Sequence, residues 1–486
     1  MPNSEASSMD SSMPNLMNKA ELSKAFFQAP QQWLAQHSLS ALSVEVNPHL
    51  LAREQALQEK GSYKVKTGKL SREIGALKKA GQPAESLIAE MKGYKSSLKD
   101  VEATIAEAEA AITALLAPQL QPKPSNNTPK PEQQLAQRDI DYSALQVELF
   151  TEALKPACEQ YLQQSPQATL YHQPGWCGLI EQSFGHKPHY YVAHVGGEVV
   201  GVLPLIHLKS RLFGAFAVSM PYFNYGGPIG ETEQVCEALV AAANQQAANS
   251  QLSHIEYRCL QPLAKHPGHQ DKISMWLDLP SASEQLWQAL GAKVRAQVNK
   301  AKPHGFTVHI GGAELLDDFY HVFAINMRDL GTPVYAKSFF QNILASHIGK
   351  ANIVLLKNSL GQPVSASFLL GHKQQLEVPW ASTLKKENRT NANMLLYWSM
   401  LQFACEQGYK VFDFGRSSVD ASTYKFKKQW GAKPVQLHWH YWLAEGGELP
   451  QLNPNNPKYK MVIWAWQRLP VWLTKILGPP IVKSLP

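Results

Sequence analysis

The stretch FDFGRSSVDASTYKFKKQWG, Phe412–Gly431, passes from an apolar strand pattern through a polar turn into a basic helical segment. A strand ending at Phe414, with Gly415, Arg416 and Ser417 opening a loop before a helix, is where open α/β sheets hold ligands. Arg416, Ser417, Asp420 and Lys427 converge on that junction. The density of polar groups just past an apolar strand marks it as a candidate site. Arg416 suits a clamp on phosphate, and Asp420 or Asp413 suits an acid/base or orienting carboxylate.

Two further dense stretches lie upstream. SMPYFNYGGPIG (Ser219–Gly230) is an irregular turn after a strand, where Tyr222, Asn224 and Tyr225 offer hydrogen bonds. KVRAQVNKAKPHGFTV (Lys293–Val308) is a basic helix end feeding a strand. Its Lys293, Arg295 and Lys300 either grip phosphate or form a solvated face. Tyr225 and Tyr335 are substrate-pocket candidates, and Arg328 either joins the clamp or makes a structural ion pair.

Around these stretches the pattern is that of an α/β protein. HYYVAHV and EVVGVLPLIHL flank Gly196-Gly197 as a hairpin. A helix over Glu231–Ala248 and strands SHIEYRCL and KISMWLDL follow. From Ser281 the order recurs: helices, the hairpin ANIVLLKN/QPVSASFLLGHK, strand QLEVPWAST, a helix over Asn391–Gln407, strand KVFDFG and a last strand VQLHWHYWL. Two such passes predict tandem units, over 138–280 and 281–445.

The N-terminal third differs. Residues 1–46 read as disordered or as short helices. Asn47-Pro48 predicts the start of a helix, Gly81 its end, and Pro83 the start of a second helix stopped by Pro118. In the second, Leu87, Met91, Tyr94, Leu98, Val101, Ile105, Ala108, Ile112 and Leu115 step by four and three, a heptad seam. Tyr63, Thr67, Leu70, Ile74 and Leu77 share the frame. Together they predict an antiparallel coiled coil over 47–117. Between Lys60 and Lys99 stand ten Lys or Arg against three Glu, a net +7 that equals the formal charge of the whole 486-residue chain. Such a segment either releases counterions from a phosphate backbone or is a solvated spacer. A proline-rich linker spans 118–137.

The tail, 446–486, mixes tryptophans with lysines and arginine. It reads as a helix docked on the body or as an interfacial membrane helix. Five dispersed cysteines, no C-x-x-C pair, no signal-peptide pattern and no apolar run of about 18 residues predict a cytoplasmic protein free of disulfides and zinc. His438 and His440 share a strand face without further metal ligands nearby. No G-x-S-x-G, P-loop, H-E-x-x-H or G-x-G-x-x-G motif occurs.

MPYFNYGGPI, KVRAQVNKAKPHGFTV, MRDLGTPVYAKSFF, NRTNANMLLYWSML, FDFGRSSVDASTYKFKKQWGA and NPKYKMVIWAWQRLPVWLTKILGP together resemble the Fem family of tandem GNAT-like acyltransferases, in the branch found with exosortase/PEP-CTERM exopolysaccharide loci. Separately, Gly68–Leu116 is similar to the tRNA-binding arm of seryl-tRNA synthetases, although no class II active-site motif is present. The resemblance implies tandem GNAT-like domains, an aminoacyl-tRNA co-substrate, no bound cofactor or metal, and an amine acceptor on a cell-envelope or exopolysaccharide precursor. It makes Lys64, Lys69, Arg72, Lys78, Lys79 and Lys92 the candidate tRNA contacts and places the protein in the cytoplasm, at most peripheral to the inner membrane. Two departures stand out. The arm is N-terminal rather than inserted within the catalytic region, and the R/Q-x-x-G-x-G/A pyrophosphate loop of acetyl-CoA users is degraded to RTNANM (Arg389–Met394). An acyl-CoA-dependent N-acyltransferase acting on an amino sugar, and a non-catalytic RNA- or protein-binding module, are the competing readings.

Overall fold

The computed structural model describes residues 26–27, 29–36, 39, 42–80, 82–116, 140–210, 214–263, 265–269, 271–419, 421–449 and 457–485. The expected disordered N-terminus (1–19), the linker and Asp420 lie outside them. The chain forms two compact units, Met1–Lys130 and Pro131–Pro486.

The first unit holds α1 (Pro30–Gln36), α2 (Ser43–Lys79) and α3 (Glu85–Leu116). The two long helices pack as the expected hairpin. Leu70, Ile74, Val101, Ile105, Ala108 and Ile112 are buried, and every other residue of the predicted seam is at least half-buried. Arg53–Glu109 (2.7 Å) and Lys60–Glu102 (2.8 Å) pair across it, and the Tyr63 and Tyr94 rings meet at 5.8 Å. Helix α2 begins at Ser43, not Asn47, and carries Pro48 inside it. Burial of Val46 with Phe26, Leu34, Ile112 and Leu116 offsets the hydrogen bond that proline cannot donate.

The second unit holds two mixed sheets. Its strands are β1 (Gln146–Leu149), β2 (Lys187–Val195), β3 (Glu198–Ser210), β4 (Gly214–Val218), β5 (Ile229–Gly230), β6 (His254–Cys259), β7 (Gly268–His269), β8 (Lys272–Asp278), β9 (Thr307–Gly311), β10 (Lys350–Lys357), β11 (Pro363–His372), β12 (Gln375–Thr383), β13 (Val411–Ser418), β14 (Lys433–Gln436) and β15 (His438–Leu443). The helices are α4 (Lys155–Gln164), α5 (Gly175–Phe184), α6 (Glu233–Asn249), α7 (Ser283–Ala289), α8 (Ala292–Ala301), α9 (Leu316–Leu330), α10 (Lys337–Ser346), α11 (Ala392–Glu406), α12 (Ser422–Lys428), α13 (Pro457–Trp466) and α14 (Val471–Val482).

One sheet runs β1-β2-β3-β4-β6-β15-β7, with β5 beside β3. The other runs β14-β8-β13-β12-β11-β10-β9. Each is an antiparallel meander joined to one parallel strand, β4 to β6 and β12 to β13. The Gly196-Gly197 turn has φ of 58° and 87°, as a two-residue hairpin requires.

The two sequence passes do not close separately. Strand β8 belongs to the first pass but pairs with β13 and β14, whereas β15 belongs to the second and pairs with β6. The expected single strand VQLHWHYWL is therefore two strands in different sheets, hinged at the buried Leu437. Strand β13 also runs past Phe414 to Ser418, so Arg416 and Ser417 stand on a strand rather than in a loop. Alternation alone did not show this because its ladder with β8 shifts between Asp413 and Arg416, where Gly415 takes φ of 75°.

Candidate active site

Strands β12 and β13 pair in parallel over only three positions, Gln375↔Val411, Leu376↔Phe412 and Glu377↔Asp413. Beyond Glu377 and Asp413 each pairs only with its outer neighbour, β11 or β8, and the two strands splay. The last pair before the splay thus places two carboxylates side by side. Leu376, Val378, Phe412 and Phe414 point into the core beneath α8 and α11, which turns Glu377 and Asp413 to the opposite face.

The irregular segment Ser219–Gly230 reaches that face. Met220 and Tyr222 adopt φ of 59° and 73°, a strained path for non-glycine residues. It is held because the Gly226 and Gly227 amides both donate to the Arg258 carbonyl. Asn224 Nδ2 donates to Glu377 Oε1 (3.1 Å), and the Tyr225 hydroxyl donates to Asp413 Oδ2 (2.8 Å). The Tyr171 hydroxyl donates to Glu377 Oε2 (2.5 Å). Gln375 donates to Asp413 Oδ2 (3.2 Å), Ser274 to Asp413 Oδ1 (2.6 Å), and the Gly415 amide to the same oxygen (2.7 Å).

Burial, and then the Asp413 charge, push Glu377 up to about 8. Burial also raises Asp413, against the bonds from Ser274, Gly415 and Tyr225. Burial and the in-register pairing together favour one proton held between the two carboxyls. Lys427 is brought down to about 8 by burial, although Asp413 opposes the shift. Its Nζ donates to the carbonyls of Gly415 and Arg416, both at 2.8 Å, and so fixes the bulge. A cavity of about 470 Å³ opens on this cluster, and its lining includes Tyr171, Tyr225, His372, Lys373, Gln375 and Glu377.

A second group borders the cluster. The Trp439 ring lies 4.5 Å from the Arg258 guanidinium carbon and 4.9 Å from that of Arg416. Arg258 is neutralised by Glu256 at 2.6 Å. Arg416 is reached by solvent, and among the described residues no carboxylate pairs with it. Burial pushes the Tyr335 phenol up to about 12, while Arg416 and Arg258 pull it the other way. Its ring packs on Tyr222, Phe339 and Trp380.

The structure thus brings Asp413, Arg416, Tyr225, Tyr335 and Lys427 of the predicted set together, with Ser417 buried beside them. Lys293 and Lys300 are instead exposed on α8, and no bond joins them or the half-buried Arg295 to the cluster among the described residues. The α8 stripe Val294, Val298 and Ala301 faces the core, which turns the basic residues outward. Arg328 is a structural contact: it pairs with Asp329 at 2.7 Å and donates to the Leu469 carbonyl at 3.4 Å. His440 is bonded to the Leu263 amide and the His266 carbonyl. Among the described residues no group of three or more His, Cys, Asp or Glu is placed to hold a metal ion.

Sequence reasoning missed Glu377, Tyr171, Gln375 and Arg258. One signal was available: Glu377 is the single charge in the strand QLEVPWAST. In the first unit Lys64, Lys69, Arg72 and Lys92 are exposed, whereas the side chains of Lys78 and Lys79 lie outside the described set.

Residues 291–428 match the acetyltransferase (GNAT) domain family, and residues 51–118 match the seryl-tRNA synthetase N-terminal domain. Among solved structures the chain is similar to FemX, at 15% identity over 65% of this chain and 100% of that one, TM-score 0.49. It is also similar to a tandem GNAT protein from the clavulanic acid biosynthesis pathway (14%; 63% and 100%; TM-score 0.40). L-PGS from Bacillus licheniformis gives 14% identity over 68% of this chain and 97% of that one, TM-score 0.41. No curated protein matches the chain. The chain is an acyltransferase of tandem GNAT-like fold, preceded by a helical hairpin of the seryl-tRNA synthetase N-terminal type.

Proposed function

We propose that the protein transfers an aminoacyl group from a charged tRNA to an amine of a cell-envelope or exopolysaccharide precursor. The observation that carries this reading is the hairpin. A segment matching a synthetase's N-terminal domain exposes Lys64, Lys69, Arg72, Lys92, Lys95 and Lys99 at its distal end, while its apolar seam is spent inside the hairpin. Exposed cations at this density gain affinity for a phosphate backbone by releasing its counterions.

In the second unit the acceptor amine would enter the cavity beside Glu377. The neutral nitrogen attacks the ester carbonyl carbon, the bond to the ribose oxygen of the tRNA breaks, and an amide forms. The carboxyl pair suits both proton movements. Its ionised member takes the proton the nitrogen loses, and its protonated member supplies one to the departing ribose oxygen. Backbone N–H groups freed where β12 and β13 part are candidates to receive the oxyanion. Arg416, exposed and paired with no carboxylate among the described residues, is suited to a donor phosphate.

A thioester donor is the second reading, favoured by the GNAT match itself. Against it, the two small-residue positions of the R/Q-x-x-G-x-G/A loop fall on Ala392 and Met394, so a bulky side chain replaces the second, and the Ala392 amide already donates to Thr390 Oγ1 at 3.3 Å. Crosslinking followed by sequencing of bound RNA tests the choice, together with a transfer assay on the chain lacking residues 48–117. Recovery of one isoacceptor family, with transfer lost on deletion, is expected. No tRNA above background, and transfer from a coenzyme A ester by the deleted chain, would overturn the reading.

A further inference from the structure

The last two helices present an apolar surface on the side away from the body. In α14 the docking stripe is Thr474, Gly478 and Val482, one residue per turn and all buried. Gly478 is required there, because a Cβ would lie 2.7 Å from the Val334 amide nitrogen. Opposite that stripe stand Trp472 and Ile476, exposed by 64% and 62%, and Leu477 on its flank is exposed by 42%. Helix α13 repeats the arrangement: Trp466 is buried, and Met461, Val462 and Trp464 are exposed by 69%, 60% and 56%. Ordinary surfaces scatter single apolar residues, whereas six large ones within 17 positions need a partner.

The surrounding charge identifies it. Residues 457–486 contain Lys458, Lys460, Arg468, Lys475 and Lys483 and no Asp or Glu. Arg468 lies 3.7 Å over the Trp464 ring, so the cation sits at the edge of the apolar face. Exposed tryptophan and aliphatic side chains edged by the Arg468 cation, in a segment free of acidic residues, are what an anionic bilayer interface selects. Neither helix is long and apolar enough to cross a membrane. The docked side of the tail also adjoins the candidate site. The Lys483 carbonyl accepts from the Tyr222 hydroxyl at 2.9 Å, and Tyr222 packs on Tyr335.

We propose that the outward face of α13 and α14 is an interfacial membrane-binding surface, which seats the second unit on an anionic lipid bilayer. This holds whichever acyl donor is used. The test is flotation of the full chain with vesicles of 30% phosphatidylglycerol in phosphatidylcholine, compared with phosphatidylcholine alone, with sizing of the lipid-free protein. The wild type should float with the anionic vesicles with a blue shift of tryptophan emission. Trp464→Ser/Trp472→Ser/Ile476→Ser should lower binding by at least about tenfold without changing the thermal midpoint. Arg468→Gln/Lys475→Gln should weaken binding to anionic vesicles alone. Two results would overturn the proposal: no flotation of the wild type, or a wild-type dimer that the triple substitution makes monomeric, which would assign the face to a second copy of the chain.

Discussion

Replacing Glu377 with glutamine tests the carboxylate pair most directly. Glu377 is 3% exposed, and its pKa is raised from the usual 4.5 to about 8. A rise of that size sets on the order of 5 kcal/mol against ionisation in the folded chain, a ceiling because Asp413 shares the proton. Above about pH 4.5 the unfolded chain has released a proton that the folded chain still binds. Stability is therefore full below that pH and falls as pH climbs through 8, by up to about 1.4 kcal/mol per pH unit. Glutamine cannot ionise, so Glu377→Gln should flatten this fall. It keeps an oxygen for Asn224 but turns an amide toward Tyr171, at a cost of about 1–2 kcal/mol near pH 5. Thermal midpoints from pH 5 to 8 measure the slope, and the infrared carbonyl band of a protonated carboxyl reports the group itself. That band should be present in the wild type at pH 6, fade toward pH 8.5, and be absent from the variant. A wild type without the band, or a variant that keeps the slope, refutes the shared proton and with it the acid/base assignment.

Replacing Lys64, Lys69, Arg72 and Lys92 together with alanine should lower the slope of log affinity for tRNA against log salt by about 3, with the helical content unchanged. Gly415→Ala meets no atom closer than 3.6 Å but must hold φ of 75°. It should lower stability by about 1 kcal/mol in thermal unfolding yet slow transfer at least tenfold, because the bulge carries Arg416. Lys427, held near 8 when folded, gives the opposite pH response to Glu377. Between about pH 8 and 10 the unfolded chain still binds a proton that the folded chain has released, so stability rises there, and Lys427→Met should abolish the rise in the same midpoint series.

The elements were legible wherever one periodicity covered a whole segment. The seam from Leu87 to Leu115 and the strand Gln375–Thr383 fall where alternation and heptad spacing put them, because side-chain period follows local backbone geometry. The exchange of β8 and β15 was not legible. A strand's own pattern says which face is buried, not which sheet it joins, and Leu437 looks like any apolar strand residue. The site divides the same way. Asp413, Arg416 and Lys427 stand within 15 residues of one another, so their clustering showed in the sequence. Tyr171, Tyr225 and Glu377 meet only because the splay of one sheet receives a loop from the other.

The two sheets give that splay opposite electrostatics at the same topological position. In the second sheet the last parallel pair is Glu377↔Asp413, and in the first it is Val218↔Glu256. Glu256 is buried like Asp413, though less completely, and burial by itself would raise it. The Arg258 charge and bonds from Tyr441 and Arg258 outweigh that and hold its carboxyl below the usual range. The opening beyond it is closed as well: the Ser219 amide donates to the Glu256 carbonyl, and those of Gly226 and Gly227 donate to that of Arg258. The first splay is thus charge-balanced and filled by its own backbone. The segment that fills it goes on to supply Asn224 and Tyr225 to the second, where no cation neutralises the carboxyl pair through a direct ion pair among the described residues. The carboxyl pair held toward its protonated form thus stands in one sheet, and the other supplies its wall. Loosening that plug, for instance by replacing Ser219, whose hydroxyl accepts the Arg258 amide at 2.8 Å, should disturb the Glu377–Asp413 titration without touching either carboxylate.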